Sequence, residues 1–539
     1  MLTEFDLIEE PWIPCIDLQG RRLEYGSQDT LLRAHELREI FHDSPLVTVA
    51  LHRLLLALLY RSHSGPRDFE AWRLLYERGM FDRGCVTRYL DTWRDRFNLF
   101  DERYPFYQMA SFETGSPVSV NRLATECASG NNATLFDHSS DGEAPQWPPA
   151  EAARQLLACQ SFALGFGKAG RARIAGQDED RPYSTDAIAL RGLTIWLQGR
   201  TLFDTLAINL APREDTSLPP WELDDPHKYR DRLGGGRQKT AALGVVDRLT
   251  WQSRMVRLLP DGETVSLMYF THGRSADKNP GDPMKVYRAS RNGGIEAVSL
   301  GSAKAVWRDA HALLATPAPD SGERRPECFN LVARARAREV IQPQSQYVAH
   351  VVGLATAPNK AGKFLLWRHE RMPLPTDLLS NTRLIEALGR LLDKAEHVGT
   401  VLGQRTRRMA SLYLSPSAES RGGQEPDRDA VARLVQAIDP RPAYWARLER
   451  HFFVLLANLA NDWDGVADDW RPADEQTASK AWREAVKREA SQALEESIRA
   501  LGTTSRAIQA VARVRTDFND IDLETPAERA ARAKAGRRG

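Results

Sequence analysis

The sequence is poor in cysteine, the residue that staples small domains and builds zinc ribbons. It has five cysteines in 539 residues: Cys15, Cys85, Cys127, Cys159 and Cys328. None stands in a C-x-x-C spacing with another, which argues against a zinc ribbon or finger and against a disulfide framework. Isolated thiols suit a reducing compartment, and the opening MLTEFDLIEEPW lacks the apolar core of a secretory signal, so a cytoplasmic location is expected. Long apolar runs are missing too. The longest, Leu46 to Tyr60, is interrupted by His52 and Arg53 and is too short to cross a bilayer, so no membrane partner is expected. Nor is there an excess of charge of either sign. The formal net charge is +1, so a nucleic-acid surface here has to be a segregated patch.

The spacings that carry common chemistries are also absent. There is no G-x-S-x-G. Gly234-Gly-Gly-Arg-Gln-Lys239 lacks the spacing of a phosphate-binding P-loop, and its default reading is a solvated loop. His369-Glu370 has no second histidine of a zincin helix, and the dipeptide His42-Asp43 stands alone. Gly165, Gly167 and Gly170 fit G-x-G-x-x-G, but a helical segment precedes them and no Rossmann repeat follows. The acidic residues are scattered. No catalytic residue, metal ligand or cofactor is therefore nominated.

Present instead is an ordinary folded composition, 42% apolar and 27% charged, in a chain long enough for one to four domains. Phe5–Ile16 reads as extended, because Pro11 and Pro14 keep it out of a helix. Ser44-Pro45 is a helix start, and the segment after it is apolar nearly all round, which predicts a central core helix. Helices are predicted over 31–41, 69–78, 86–97, 150–163, 202–209, 303–314 and 328–340. Strands are predicted near 21–25, 188–197, 255–258, 265–269 and 347–355, with 364–367 extended. Arg371-Met-Pro-Leu-Pro375 reads as a linker. Beyond it Leu384, Leu388, Leu391, Leu392 and Ala395 recur at helical spacing, as do Tyr444, Leu448, Phe452 and Leu455, and Trp482, Val486 and Ala490. The expected fold is an α+β N-terminal domain, 1–372, followed by an all-α C-terminal four-helix bundle, 373–515, and a basic tail, 516–539. Ser505–Arg515 is read as continuing the last bundle helix.

The stretch from Ser129 to Gly176 stands out within that frame. Its first loop carries Leu135 and Phe136 beside Asp137 and His138, an apolar tip that either plugs a neighbouring surface or hides under its own core. Its second places Lys168, Arg171 and Arg173 among Gly165, Gly167, Gly170 and Gly176. Glycines let backbone N–H groups approach a ligand, and interleaved cations favour a polyanion. Two ordinary connecting loops would show the same residues.

Glu10-Pro-Trp-Ile-Pro14, Tyr104-Pro-Phe-Tyr-Gln108 and Leu249-Thr-Trp-Gln252, in that order, resemble the CasA family, the large subunits of the type I-E CRISPR surveillance complex Cascade. The order of elements along nearly the whole chain carries the resemblance more than any one short motif. It implies a non-catalytic protein that recognises the protospacer-adjacent motif in double-stranded DNA, helps open the duplex for guide RNA pairing and recruits a helicase-nuclease in antiviral defence. Its implied partners are the other Cascade subunits, the CRISPR guide RNA, target DNA and that nuclease.

Carried over by residue, the resemblance makes Leu135, Phe136 and Asp137 the loop that docks on the guide complex, with the aromatic one position off the family pattern. Gly165, Gly167 and Lys168 match the glycine loop that touches the motif. Asn359, Lys360, Ala361 and Gly362 match the minor-groove wedge, although the family's wedge glutamine is absent. Lys278, within Val265–Lys285, stands for the motif-reading lysine. Cationic helix faces would meet DNA phosphates beside Arg171 and Arg173: Arg405, Arg407 and Arg408 form one, and Lys480, Arg483, Lys487 and Arg488 another. Solvated helix faces carry the same pattern. A protein-only scaffold and an enzyme with an unrecognised site stand as alternatives.

Overall fold

The computed structural model describes residues 4–126, 145–165, 168–174, 176–223, 239–277, 280–290, 293–301, 304–342, 345–356, 364–420, 423–464, 469–470 and 477–516. The chain divides into two compact units. The first is 1–306 with 316–372, and the second is 307–315 with 373–539.

The first unit is mixed α/β. Near its start the chain is not extended throughout Phe5–Ile16 as predicted. Residues 7–9 turn and 10–11 bend, with Glu10 N donating to Asp6 O at 2.8 Å, because proline suits a turn as well as a strand. Trp12 is fully buried with its indole Nε1 donating to Leu7 O at 2.8 Å. Strand β1 (Ile13–Asp17) pairs antiparallel with β2 (Arg22–Tyr25) and with β3 (Leu37–Ile40). The predicted helix over 31–41 is thus replaced by a short helix, Ser27–Leu32, and strand β3. A few apolar residues do not separate the two periods, and pairing with β1 decides the matter.

The helix Pro45–Ser62 is buried on every side through most of its length. By length and apolarity it could cross a bilayer, but 89% of it is buried inside the protein, so it acts as the core helix. Arg53 in its middle is neutralised by Asp282 at 2.8 Å, with 1% and 2% of the two side chains exposed. The segment 104–108 anchors the core as expected: Phe106 and Tyr107 are buried against Trp221, and Gln108 Oε1 accepts from Leu258 N at 2.7 Å.

Three antiparallel groups surround this core. β4 (Phe112–Thr114), β6 (Lys168–Ile174) and β7 (Gln177–Tyr183) form one sheet in the order β4-β6-β7. β5 (Val118–Ser119) joins the hairpin of β9 (Arg254–Asp261) and β10 (Thr264–His272). β11 (Tyr287–Ala289) pairs with β12 (Ile295–Ala297). A further sheet has the order β14-β13-β8, where β8 is Thr194–Gln198, β13 Gln346–Thr356 and β14 Phe364–Pro375. The predicted linker, 371–375, is therefore the end of β14. Two prolines suggested a break, but an edge strand tolerates them.

The second unit is helical. Asn381 caps the 33-residue helix Thr382–Leu414, accepting from the backbone N of Arg383 and Leu384. Arg428–Ile438, Arg441–Asn458, Thr477–Leu501 and Ser505–Thr516 follow. The last is separate rather than a continuation. Gly502, at φ +89°, ends the preceding helix, and Ala507, Ala510 and Val514 pack in a cluster with Met409 and Leu412. The helix predicted over 303–314 is a 3-10 turn, Val306–Asp309, and a short helix, Ala310–Leu314. Its 307–315 segment belongs to this unit. Trp307, 1% exposed, stacks on Phe452 and meets Trp482 edge-on, while Arg308 clamps Glu396 at 2.9 and 2.7 Å.

Candidate nucleic-acid interface

The second glycine-rich stretch is a hairpin, not an irregular loop. Residues 168–174 form β6, with Ala172 and Ile174 buried while Arg171 and Arg173 face solvent. That period-two alternation was outweighed in the sequence by the glycine count. Gly170 and Gly176 take φ of +80° and +79°, where other residues are strained. At Gly165 the close approach is to the chain itself. A Cβ there would stand 3.0 Å from Ser184 O, and Gly165 N donates to Asp186 Oδ1 at 2.9 Å. Of the motif-contact residues, Lys168 begins β6, while Gly167 lies outside the described residues.

Arg254 fixes the base of this hairpin. It is 1% exposed and donates from Nη2 to Leu164 O at 2.8 Å, Thr185 O at 2.9 Å and Ala163 O at 3.2 Å. Gln160 holds the backbone of Arg254 in turn, at 2.9 and 3.0 Å. Both strand ends of the hairpin are thereby tied to β9. No sequence motif announced Arg254; its role arises from contacts 69 to 94 residues apart.

Across the hairpin Arg171 faces Asp180 at 3.3 Å and Arg173 faces Asp178 at 3.8 Å, all four side chains mostly exposed. Such pairs contribute little and are screened by salt, so neither arginine is committed to stability. Arg173 also lines a cleft of about 950 Å³, together with Arg103 and Arg257, which the sequence reading passed over. Asp101, Glu102 and Glu113 line it too, and Arg257 is 3.6 Å from Glu113. The cleft is therefore of mixed charge.

In the second unit Arg405, Arg407 and Arg408 share the helix Thr382–Leu414. Arg407 is exposed, while Arg408 is held by Glu419 at 2.8 and 3.1 Å. On Thr477–Leu501, Lys480, Arg483 and Lys487 fall on one helix face, with Lys480 and Lys487 exposed and Arg483 bonded to Ser479 O at 3.2 Å. Glu484 interrupts that face. Arg488 turns instead to Glu489, at 3.2 Å, a carboxylate only 1% exposed that also meets His451 at 3.1 Å.

Leu135, Phe136 and Asp137, Lys278, and Asn359, Lys360, Ala361 and Gly362 all lie outside the described residues, as does the tail 517–539. His42 Nδ1 accepts from Ser44 N at 3.0 Å and its Nε2 lies 3.5 Å from Glu151. Among the described residues no group of three or more His, Cys, Asp or Glu is placed to hold a metal ion. Cys15, Cys159 and Cys328 are buried, which pushes each thiol up to about 12 and leaves it unreactive.

A mixed α/β unit is followed along the chain by a helical one, with cations on exposed strand and helix faces. The family described as CRISPR-associated protein Cse1 matches residues 6–493. The CRISPR-associated protein CasA/Cse1 of Thermus thermophilus is 32% identical over 523 residues, covering 96% of this chain and 97% of its own. The chain belongs to the Cse1/CasA family. A solved structure of Thermus thermophilus CasA (Cse1) is 28% identical, covers 96% of this chain and 99% of its own, and superposes with a TM-score of 0.77. A chain of a CRISPR RNA-guided surveillance complex shares the fold at 22% identity, with a TM-score of 0.74 and 96% of this chain and 100% of its own covered.

Proposed function

We propose that this chain is the non-catalytic large subunit of a type I-E Cascade complex, acting in the cytoplasm. In this role it recognises the protospacer-adjacent motif in double-stranded DNA, helps open the duplex for guide RNA pairing, and recruits the helicase-nuclease. Its partners are the other Cascade subunits, the guide RNA and target DNA. The observation that carries this reading is the family match along residues 6–493, which runs through both units rather than one.

The parts divide as follows. Leu135, Phe136 and Asp137 dock on the guide complex. Gly167 and Lys168, with Lys278, contact the motif, while Gly165, buried against Ser184 and Asp186, positions the start of that loop rather than touching DNA itself. Asn359, Lys360, Ala361 and Gly362 wedge into the minor groove, where small insertions offset the cost of unstacking a base step. In the second unit Thr382–Leu414, Arg428–Ile438, Arg441–Asn458 and Thr477–Leu501 make the four-helix bundle, with Ser505–Thr516 added to it. Its Lys480, Arg483 and Lys487, with Arg405, Arg407, Arg408 and Arg488, follow phosphates, as do Arg171 and Arg173 of the first unit. The exposure of Lys480 and Lys487 and the loose pairing of Arg171 and Arg173 support that division.

A mobility-shift assay with the chain, its partner subunits and guide RNA tests the reading. Binding that discriminates the dinucleotides flanking a matched target is expected. Assembly that is indifferent to DNA would instead fit a protein-only scaffold.

A further inference from the structure

Leu365, Trp367, His369 and Arg371 alternate along β14 and share one face of an edge strand. Trp367 is 36% exposed and Leu365 48%. Under this face lies a cavity of about 160 Å³, lined by Phe41, Asp43, His350, Trp367, His369 and Arg371. Drug-sized ligands occupy about 300–1,000 Å³, so this volume suits one planar ring.

The chemistry of the cavity floor is set by a hydrogen-bond chain. Gln198 Nε2 donates to Glu39 Oε2 at 3.1 Å, which turns Gln198 Oε1 toward His350 Nε2, 2.6 Å away. His350 Nε2 therefore carries the proton and its Nδ1 accepts. His369 Nε2, 3.0 Å from that Nδ1, donates, and His369 Nδ1 is left as an acceptor. Burial holds both rings neutral: His369 is lowered to about 4, and His350 to about 2 with His369 and Arg371 contributing. Both rings pack on Trp196, at 4.6 and 5.7 Å between centroids, so the floor is rigid. At the rim the Arg371 side chain is 47% exposed. Its Glu39 neighbour stands 3.9 Å away and is already held by Arg38 at 2.9 Å.

An aromatic platform with a cation beside it is how proteins hold unpaired bases. We propose that this cavity takes one unpaired nucleobase of the DNA that the chain opens, stacked on Trp367, with its phosphate on Arg371. The acceptors His369 Nδ1 and Asp43 favour a base bearing an exocyclic amino group, such as adenine or cytosine, over thymine. The inference rests on the duplex-opening reading above.

The test places 2-aminopurine, an amino-bearing base whose fluorescence stacking quenches, at successive positions of the displaced strand. The full chain is used in its guide complex. Opening the target brightens most positions several-fold and leaves one dark. Trp367→Ala brightens that position, whereas Trp367→Phe keeps it dark. The proposal is overturned if every opened position brightens with the unaltered protein, or if the dark position ignores Trp367→Ala. If no position brightens with any target, the duplex is not opened and the proposed function falls together with the site.

Discussion

Arg254 Nη2 lies 2.8 Å from the carbonyl oxygen of Leu164, so that a buried guanidinium on β9 holds the segment entering the glycine hairpin. Arg254→Met leaves the carbonyls of Ala163, Leu164 and Thr185 without this donor, at a cost of about 1–3 kcal/mol for each one left unsatisfied. Faster hydrogen exchange is expected in β6 and β7. Arg254→Lys should not restore protection, because an ammonium does not reproduce the planar fork. Unchanged exchange in the Met variant would show that the hairpin stands without this anchor.

Three buried histidines and a fourth that is half-buried predict an acid limit to stability. Burial lowers His52 to about 4, His272 to about 3, His350 to about 2 and His369 to about 4. The unfolded chain, with histidines near 6.5, then binds protons that the folded chain refuses, so stability falls as pH drops below about 6.5. For fully buried His52 alone the loss reaches about 2 kcal/mol at about pH 5. Melting followed from about pH 7.5 to about pH 5 should show a steady fall, partly relieved in His52→Gln. A flat profile would contradict the assignment of neutral rings.

Much of the fold was legible where one period ran unbroken. The helix Leu202–Asn209 has the predicted bounds, and Asn381 caps the long helix just ahead of Leu384, where the helical spacing begins. The misses have a common cause in contacts distant along the chain. Strand β3 depends on β1, and the 307–315 segment takes its place from Phe452 and Trp482. Reading Arg371–Pro375 as a linker concealed the alternation of Trp367, His369 and Arg371 on β14. At the site, residue types were legible but partners were not. Nothing beside Arg171 reveals that Asp180 faces it, and nothing beside Gly165 reveals Ser184.

Charge reversal of Lys480, Arg483 and Lys487 to Glu is expected to weaken DNA binding about equally for all sequences, because phosphate contacts carry no base information. The slope of log affinity against log salt should become shallower by about 0.9 for each lost contact. A changed motif preference at an unchanged salt slope would rule out the phosphate role.

Replacing Leu135 and Phe136 by Ala should loosen attachment to the guide complex. Each large apolar side chain gains about 1.5–3 kcal/mol from full burial in a partner's pocket. The melting temperature of the isolated chain should barely move. A large drop would place both side chains in the chain's own core.

The central claim is that the 358–363 segment reads and opens duplex DNA. Minor-groove edges of A·T pairs offer only acceptors, and G·C adds one amino donor, so the Asn359 amide and Lys360 ammonium would read a permissive motif. The direct measurement compares Asn359→Ala/Lys360→Ala with the unaltered protein, in the guide complex, on two targets. One is a motif-bearing duplex and the other the same target strand already single-stranded. Opening of the duplex is expected to fall while binding of the single strand persists, since no duplex then needs to be read. Equal loss on both targets would contradict the account.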